Sequence, residues 1–471
     1  MMKLTCDVCI IGAGSGGLSV AAGAAQMGAD VVLIEGHKMG GDCLNYGCIP
    51  SKALLAAAHD AHAPIHPVTG VSPVRPDVDY AAAKDRVAAV IDTIAPVDSQ
   101  ERFEGFGVRV IRDWARFTDT DTVVAGAHEI TARRFVIATG SRPFVPPIDG
   151  IDSVPYLTNE TVFDLRERPD HLLVIGGGPI GMEMAQAHRR LGSEVTVIEG
   201  AKAMGKDDPE AAALVLERLR AEGITIVEGQ QAARVVRDGG QLTVDTGSGS
   251  YTGSHLLVAV GRQVNLDKLD LDRAGVRHDR AVTVDGRLRS VSNKRVFAVG
   301  DAAGRLQFTH VAGYHAGVVI PQLMFGVPSR AKDHHIPWAT YTDPELAHVG
   351  LTEAQAVKEH GRSKVTTVRF TYDENDRAQA TGKTDGFVKV LVVGGRPVGA
   401  TIVGQSAGEL IAMWAMALAN GLKMKAISDT VLPYPTLAEI NKRAAGAYFS
   451  PMLFNSDMVK AVVRFVQKYL P

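Results

Sequence analysis

Two cysteines, Cys43 and Cys48, are the residues of this chain best placed to do chemistry. Four residues separate them, about one helical turn at a helix start, which is close enough for a disulfide. Gly40 and Gly41 precede the pair, Gly47 falls inside it, and an Ala/Leu-rich helix is expected to follow. A helix N-terminus and the nearby Lys52 both favour a thiolate, so the expected chemistry is thiol–disulfide exchange. A second pair, Cys6 and Cys9, forms a C-x-x-C but falls in an apolar stretch read as the first strand. Positions three apart on a strand point to opposite faces, so these two are expected in the core.

The elements that must position the reactive pair come as a repeat. Residues 6–36 read CDVCIIGAGSGGLSVAAGAAQMGADVVLIEG, and residues 171–200 read HLLVIGGGPIGMEMAQAHRRLGSEVTVIEG. Each is an apolar strand, a G-x-G-x-x-G turn, an Ala-rich helix and a second strand ending in Glu. Gly12 lies 23 residues before Glu35, and Gly176 lies 23 residues before Glu199. In such a turn Gly12 allows the tight bend, Gly14 admits a pyrophosphate to the backbone, and Gly17 lets the helix pack on the strand; Gly176, Gly178 and Gly181 repeat the set. Phosphates then rest on the positive end of the helix, and Glu35 and Glu199 are placed to accept from a ribose diol. Shorter echoes, RRFVIATGSRP (133–143) and SHLLVAVGRQVN (254–265), are strands ending in Gly. The fold class is therefore α/β with two Rossmann-like dinucleotide-binding domains. A carboxylate at Glu199 repels a 2′-phosphate, and Gly200, Ala201 and Lys202 add one cation, so NADH is expected in preference to NADPH.

The bulk numbers agree with an enzyme of several domains. The chain has 471 residues, 46% apolar and 22% charged, a globular balance. Lys plus Arg (50) and Asp plus Glu (52) leave a net charge of -2, which provides no field for nucleic acid. Four cysteines in that length are not a secreted disulfide framework. No export signal and no membrane span are read, so a cytoplasmic protein is expected.

The stretch GDCLNYGCIPSK (41–52) resembles the glutathione reductase, lipoamide dehydrogenase and mercuric reductase family of pyridine nucleotide–disulfide oxidoreductases. The likeness continues in order through ATG (138–140), GGGPIGMEMA (176–185), GR (261–262), VFAVGDAAG (296–304) and YTDPELAHVGLTE (341–353). It implies that Cys43 is the interchange thiol, that Cys48 lies against a flavin, and that Lys52 and Glu183 form an ion pair near flavin N5. Gly12, Gly14, Gly17, Glu35, Gly41, Ala115, Thr139, Gly140, Asp301 and Ala312 are expected around FAD, with Lys52 counted among them. Gly176, Gly178, Gly181, Glu199 and Gly261 are expected around the nicotinamide nucleotide. The implied plan is an FAD-binding domain in two parts, residues 1–150 and 265–336, around an NAD(H)-binding domain, residues 151–264. A C-terminal α+β dimerisation domain, residues 337–471, follows, and the protein is expected to be a homodimer.

One departure bears on the substrate. Thiol-processing members carry His in an H-P-T-x-x-E stretch, supplied by the partner subunit; this chain reads YPTLAE at 434–439, with Tyr434 for His and Glu439 retained. A phenol titrates about 3.5 units above imidazole and is a poor base near neutrality. Mercuric reductases also carry Tyr there, but their extra C-terminal cysteine pair is missing, since no Cys follows Cys48. A lipoamide dehydrogenase-like oxidoreductase acting on a disulfide or dithiol is therefore ranked first and a mercuric-type metal-ion reductase second. A flavin-carrying interaction protein without turnover is third. His310 is an alternative proton carrier; His315 is expected to be structural.

Three peripheral stretches complete the reading. The proline-rich run 62–79 is expected as a loop. ELIAMWAMALAN (409–420) is expected as an amphipathic helix, with Ile411, Met413, Trp414 and Leu418 facing a core or a dimer seam. The tail SDMVKAVVRFVQKYLP puts Lys460, Arg464 and Lys468 on one helical stripe. That stripe suits an anionic membrane surface, although docking of the helix on its own subunit is the commoner outcome.

Overall fold

The computed structural model describes residues 1–65 and 70–470. The expected loop 62–79 lies partly outside them. Within its described part Ala63–Ile65 is a short 3-10 turn, and Asp79 caps the next helix, Tyr80–Ile94, by accepting from Ala82 N–H. The chain divides into two compact units. The first comprises residues 1–63, 75–200 and 227–333, and the second residues 64–74, 201–226 and 334–471.

The first unit is built on a sheet whose centre is the strand Met2–Ile11. Val31–Ile34 pairs parallel to it on one side and His128–Ile137 on the other. Arg109–Ile111 extends the sheet beyond Val31–Ile34, and Val296–Ala298, which is distant in sequence, pairs parallel with the end of His128–Ile137. The last four residues of the central strand are all buried, as expected of a parallel strand covered on both faces. Helix Ser15–Gln26 packs against helix Thr309–Phe325. The second glycine turn joins His171–Ile175 to helix Pro179–Arg190, and here Glu194–Glu199 and His255–Val258 flank the first strand in parallel.

The two turns have the same geometry. Gly12 has φ +107° and Gly176 φ +113°, values that L side chains avoid. A Cβ on Gly17 would lie 1.8 Å from the Gly12 carbonyl oxygen, and one on Gly181 would lie 2.0 Å from that of Gly176. Only glycine lets the helix start so close to the strand it follows.

The second unit is organised by a five-stranded antiparallel sheet in the order Pro337–Thr340, Glu345–Gly350, Arg396–Gly404, Phe387–Val393, Thr366–Thr371. Helix Pro209–Ala221 packs on this sheet, and the buried Lys389 ammonium lies 2.8 Å from Asp208, its N-cap. The helix expected over 409–420 is interrupted at Ile411, giving Ala407–Leu410 and Ala412–Ala419. Its Trp414 is fully buried and donates to Asn441 Oδ1 at 2.7 Å, so this face is core. The C-terminal helix Asp457–Tyr469 departs from the expected docking on its own subunit: none of its residues is buried. No helix among the described residues is long and apolar enough to cross a membrane.

Candidate active site

Cys43 and Cys48 do not share one helical turn. Cys43 lies in the short helix Gly41–Asn45 and Cys48 opens the helix Cys48–His62, with the break at Tyr46 and Gly47. Cys43 is half-buried, Cys48 is exposed, and both are free thiols. The break places the two sulfurs within hydrogen-bonding reach, and that contact divides their protons unequally. The Cys43 hydrogen bond is the main influence lowering the Cys48 thiol to about 6; burial opposes it, while Thr309 and Lys52 assist. Cys43 is pushed up, by the same bond first and by burial second. The Thr309 hydroxyl stands 3.3 Å from Cys48 Sγ. It is brought there by the N-terminus of helix Thr309–Phe325, 261 residues along the chain. Nothing in its local sequence singled this threonine out.

One turn into the Cys48 helix, Lys52 donates to Glu183 at 2.8 Å and to Ser51 Oγ at 3.3 Å. The Glu183 side chain is only 7% exposed. A buried carboxylate is stable as an anion only with such a partner, so the pair ties the cysteine helix to helix Pro179–Arg190.

A second charged chain approaches from the other side. Asp42, adjacent to Cys43, takes an ion pair from Arg262 at 2.9 Å and a hydrogen bond from Asn159 Nδ2 at 3.0 Å. Arg262 also donates to the Ser141 hydroxyl at 2.7 Å and to its carbonyl at 2.8 Å, and Ser141 donates to Asp301. Burial raises the Asp301 carboxyl above its usual range, with Ser141 and Arg262 pulling it back. Asp42 and Asp301 are thus linked through one guanidinium and one hydroxyl. Asp42, Ser141 and Arg262 were not among the expected site residues, because partner choice over more than a hundred positions leaves no local pattern.

The expected flavin residues stand as follows. Gly14 and Gly41 are backbone to backbone: a Cβ on Gly41 would lie 2.7 Å from Gly14 Cα. Glu35 accepts from Ala13 N–H at 2.6 Å and from His37 N–H at 2.7 Å. Ala115 is buried at the start of strand Ala115–Asp119. Gly140 follows Thr139, whose buried hydroxyl has no partner among the described residues. Ala312 packs close to Gly16 and Gly300. A glycine cradle beside an orphaned hydroxyl and an acidic strand end suits a dinucleotide, so the residues fit FAD. His315 Nδ1 accepts from Gly300 N–H at 3.1 Å, and burial holds its imidazole down to about 4, hence neutral. His310 is exposed and stacked on Phe308, ring centres 5.3 Å apart.

At the second turn Glu199 accepts from Gly177 N–H at 2.7 Å, the counterpart of the Glu35 contact. Gly178 precedes the helix that Gly181 lets pack, and Gly261 has φ +141°. In the second unit Tyr434 is 68% exposed and its hydroxyl donates to Asp376 Oδ2 at 2.9 Å. That hydrogen bond, with the Asp376 charge and then Glu439, raises the phenol further above its ordinary value. Glu439 begins helix Glu439–Ala447.

Comparison with known proteins matches this geometry. The chain is 34% identical over 469 residues to a mercuric reductase of Shewanella putrefaciens, covering 96% of this chain and 82% of that one. It is 34% identical over 470 residues to a mercuric reductase of Streptomyces lividans, covering 96% and 97%. Among solved structures, the Cu(II) complex of the HOCl-induced flavoprotein disulfide reductase RclA from Escherichia coli superposes with TM-score 0.84 at 28% identity, covering 93% of this chain and 99% of RclA. LpdA from Mycobacterium tuberculosis does so with TM-score 0.85 at 26% identity, covering 93% and 99%. The pyridine nucleotide-disulphide oxidoreductase model matches residues 6–316, and the dimerisation-domain model of that family matches residues 336–445. These matches carry the cofactors FAD and NAD(P)H, an oxidoreductase activity and homodimerisation. The chain belongs to the pyridine nucleotide-disulfide oxidoreductase family.

Proposed function

We propose that this protein passes electrons from NADH to the Cys43–Cys48 pair and on to a thiophilic metal ion. The observation that carries the reading is the setting of Cys48: its sulfur meets Thr309 at 3.3 Å and is hydrogen-bonded by Cys43, contacts that lower its thiol to about 6. A thiolate is thereby held at neutral pH on the sulfur nearer the helix end, while Cys43 retains a proton. Bound FAD would supply two-electron exchange with the nicotinamide, chemistry that side chains lack. The first glycine turn with Glu35, Gly41, Ala115, Thr139, Gly140, Asp301 and Ala312 would hold it, in a domain formed by 1–150 and 265–336. The second turn with Glu199 and Gly261 would hold NADH in 151–264, the Glu199 charge disfavouring a 2′-phosphate. Lys52, paired with Glu183, would set the charge where hydride arrives.

The acceptor follows from Tyr434. Residues 337–471 would form the dimer and present Tyr434 and Glu439 to the partner's cysteines. A phenol already donating to Asp376 keeps its proton, so it can hydrogen-bond a substrate but not relieve Cys43 of a proton. Disulfide exchange needs a base for that proton; a metal ion taken up by both sulfurs acidifies the Cys43 thiol itself and releases its proton to solvent. The relatives named mercuric reductase and the RclA structure described as a Cu(II) complex support the same reading. Lipoamide-type exchange, ranked first on the sequence, becomes second, retained because Glu439 stands close enough to influence Tyr434.

The test is steady-state oxidation of NADH and NADPH with Hg(II), Cu(II), lipoamide and glutathione disulfide side by side. Turnover with a metal ion exceeding that with either disulfide is expected, with NADH the better donor. Turnover confined to lipoamide would reverse the ranking. No turnover, together with no long-wavelength thiolate band on two-electron reduction, would favour a flavin-carrying interaction protein.

A further inference from the structure

We propose that the C-terminal helix Asp457–Tyr469 is a docking element for an anionic lipid surface. At 3.6 residues per turn, Met458, Val459, Val462, Val463, Phe465, Val466, Tyr469 and Leu470 fall within an arc of ~160°. Lys460, Arg464 and Lys468 are centred on the opposite side, and after Asp457 no acidic residue interrupts them. Among these apolar residues Met458 is 75% exposed and Phe465 58%, and Val459 and Val466 alone are partly shielded. The preceding short helix Ser450–Phe454 lies in contact with it and adds Met452, Leu453 and Phe454, each at least half exposed.

So much contiguous apolar surface is rarely left to water by a soluble chain. What covers it is indicated by charge. A strongly two-faced helix with cations on its polar side lies in the headgroup region, its apolar side among acyl chains and its Lys and Arg reaching anionic phosphates. A second copy of the chain is the rival occupant. However, the matched dimerisation segment ends at residue 445, before this arm begins. The whole chain carries a net charge of -2, so attraction to an anionic bilayer depends on where its cations cluster, and this stripe sets three of them on the helix that carries the apolar face.

The experiment is co-sedimentation of the full-length FAD-loaded protein with vesicles of phosphatidylcholine alone or mixed with phosphatidylglycerol, at low and high salt. Binding to the mixed vesicles only, weakened by salt, is expected. Lys460→Gln, Arg464→Gln and Lys468→Gln combined should reduce it on the order of a hundredfold, about fivefold for each cation lost. Val462→Glu with Phe465→Glu should abolish it with NADH oxidation unchanged. Equal binding to both vesicle types, or no binding to either, overturns the proposal. So does dissociation of the dimer by Val462→Glu with Phe465→Glu, read by light scattering, which would assign the face to a second copy.

Discussion

The protein holds two close cysteine pairs, and the same side chain behaves oppositely in each. Cys6 and Cys9 lie in the central strand, where burial pushes Cys6 up to about 12 and Cys9 well above its usual range. Cys48 sits at a helix start with a thiol neighbour, a hydroxyl and an ammonium, and is lowered to about 6. Spacing along the chain is similar; what differs is access and the number of donors aimed at the sulfur. Reactivity is therefore set by backbone geometry, a continuous strand in one case and a broken helix in the other.

The largest expected effect is Cys48→Ser, which should lower NADH-driven turnover by about a thousandfold or more. Cys9→Ser should leave turnover intact while costing about 1–3 kcal/mol of stability, because a hydroxyl enters an apolar core. Chemical denaturation and steady-state rates together check both; a loss of turnover in the Cys9 variant with stability unchanged would end the distinction. Next is the pH profile of alkylation in the reduced protein. One fast-reacting site should follow an ionisation near pH 6 belonging to the coupled pair, while Cys6 and Cys9 react only after unfolding.

The same shift has a consequence for stability. A thiol whose folded pKa is depressed releases its proton earlier in the native state, so its contribution is complete above the ordinary thiol value of 9.0. It is lost as pH falls through about 6, and reduced protein should gain stability between those limits more than Cys48→Ser does. A smaller effect is expected of Thr309→Val, which removes a donor and should move the alkylation midpoint up by roughly one unit. The smallest is Asp42→Asn: Asp42 raises Cys48 and is partly neutralised by Arg262, so the midpoint should drift down. A rise would mean that Asp42 acts through loop position instead of charge.

The sequence made some of this visible and hid the rest for a physical reason. Glycine turns, strand-terminal glutamates and the cysteine loop are local patterns, and Gly12 and Gly176 are each needed where only positive φ closes the bend. Periodicity also disclosed the C-terminal helix, yet not that its apolar face would lie open. Contacts whose members come from separate segments were invisible to local reasoning. Thr309 reaches Cys48 only because Val296–Ala298 joins the first sheet and delivers the helix behind it. Arg262 reaches Asp42 by a similar long-range route. The break at Gly47 was also missed, since spacing alone does not distinguish one helix from two.

The acidic residue at the end of the strand after each glycine turn has a structural task in that turn. Glu35 and Glu199 each spend one carboxylate oxygen on a buried amide of the neighbouring glycine turn, Ala13 and Gly177. Anyone re-engineering coenzyme preference by replacing Glu199 with a small neutral residue would strip that amide of its acceptor while clearing room for a phosphate. The exchange would loosen the turn for either coenzyme. A successful redesign must therefore install a fresh acceptor for Gly177 along with its new arginine.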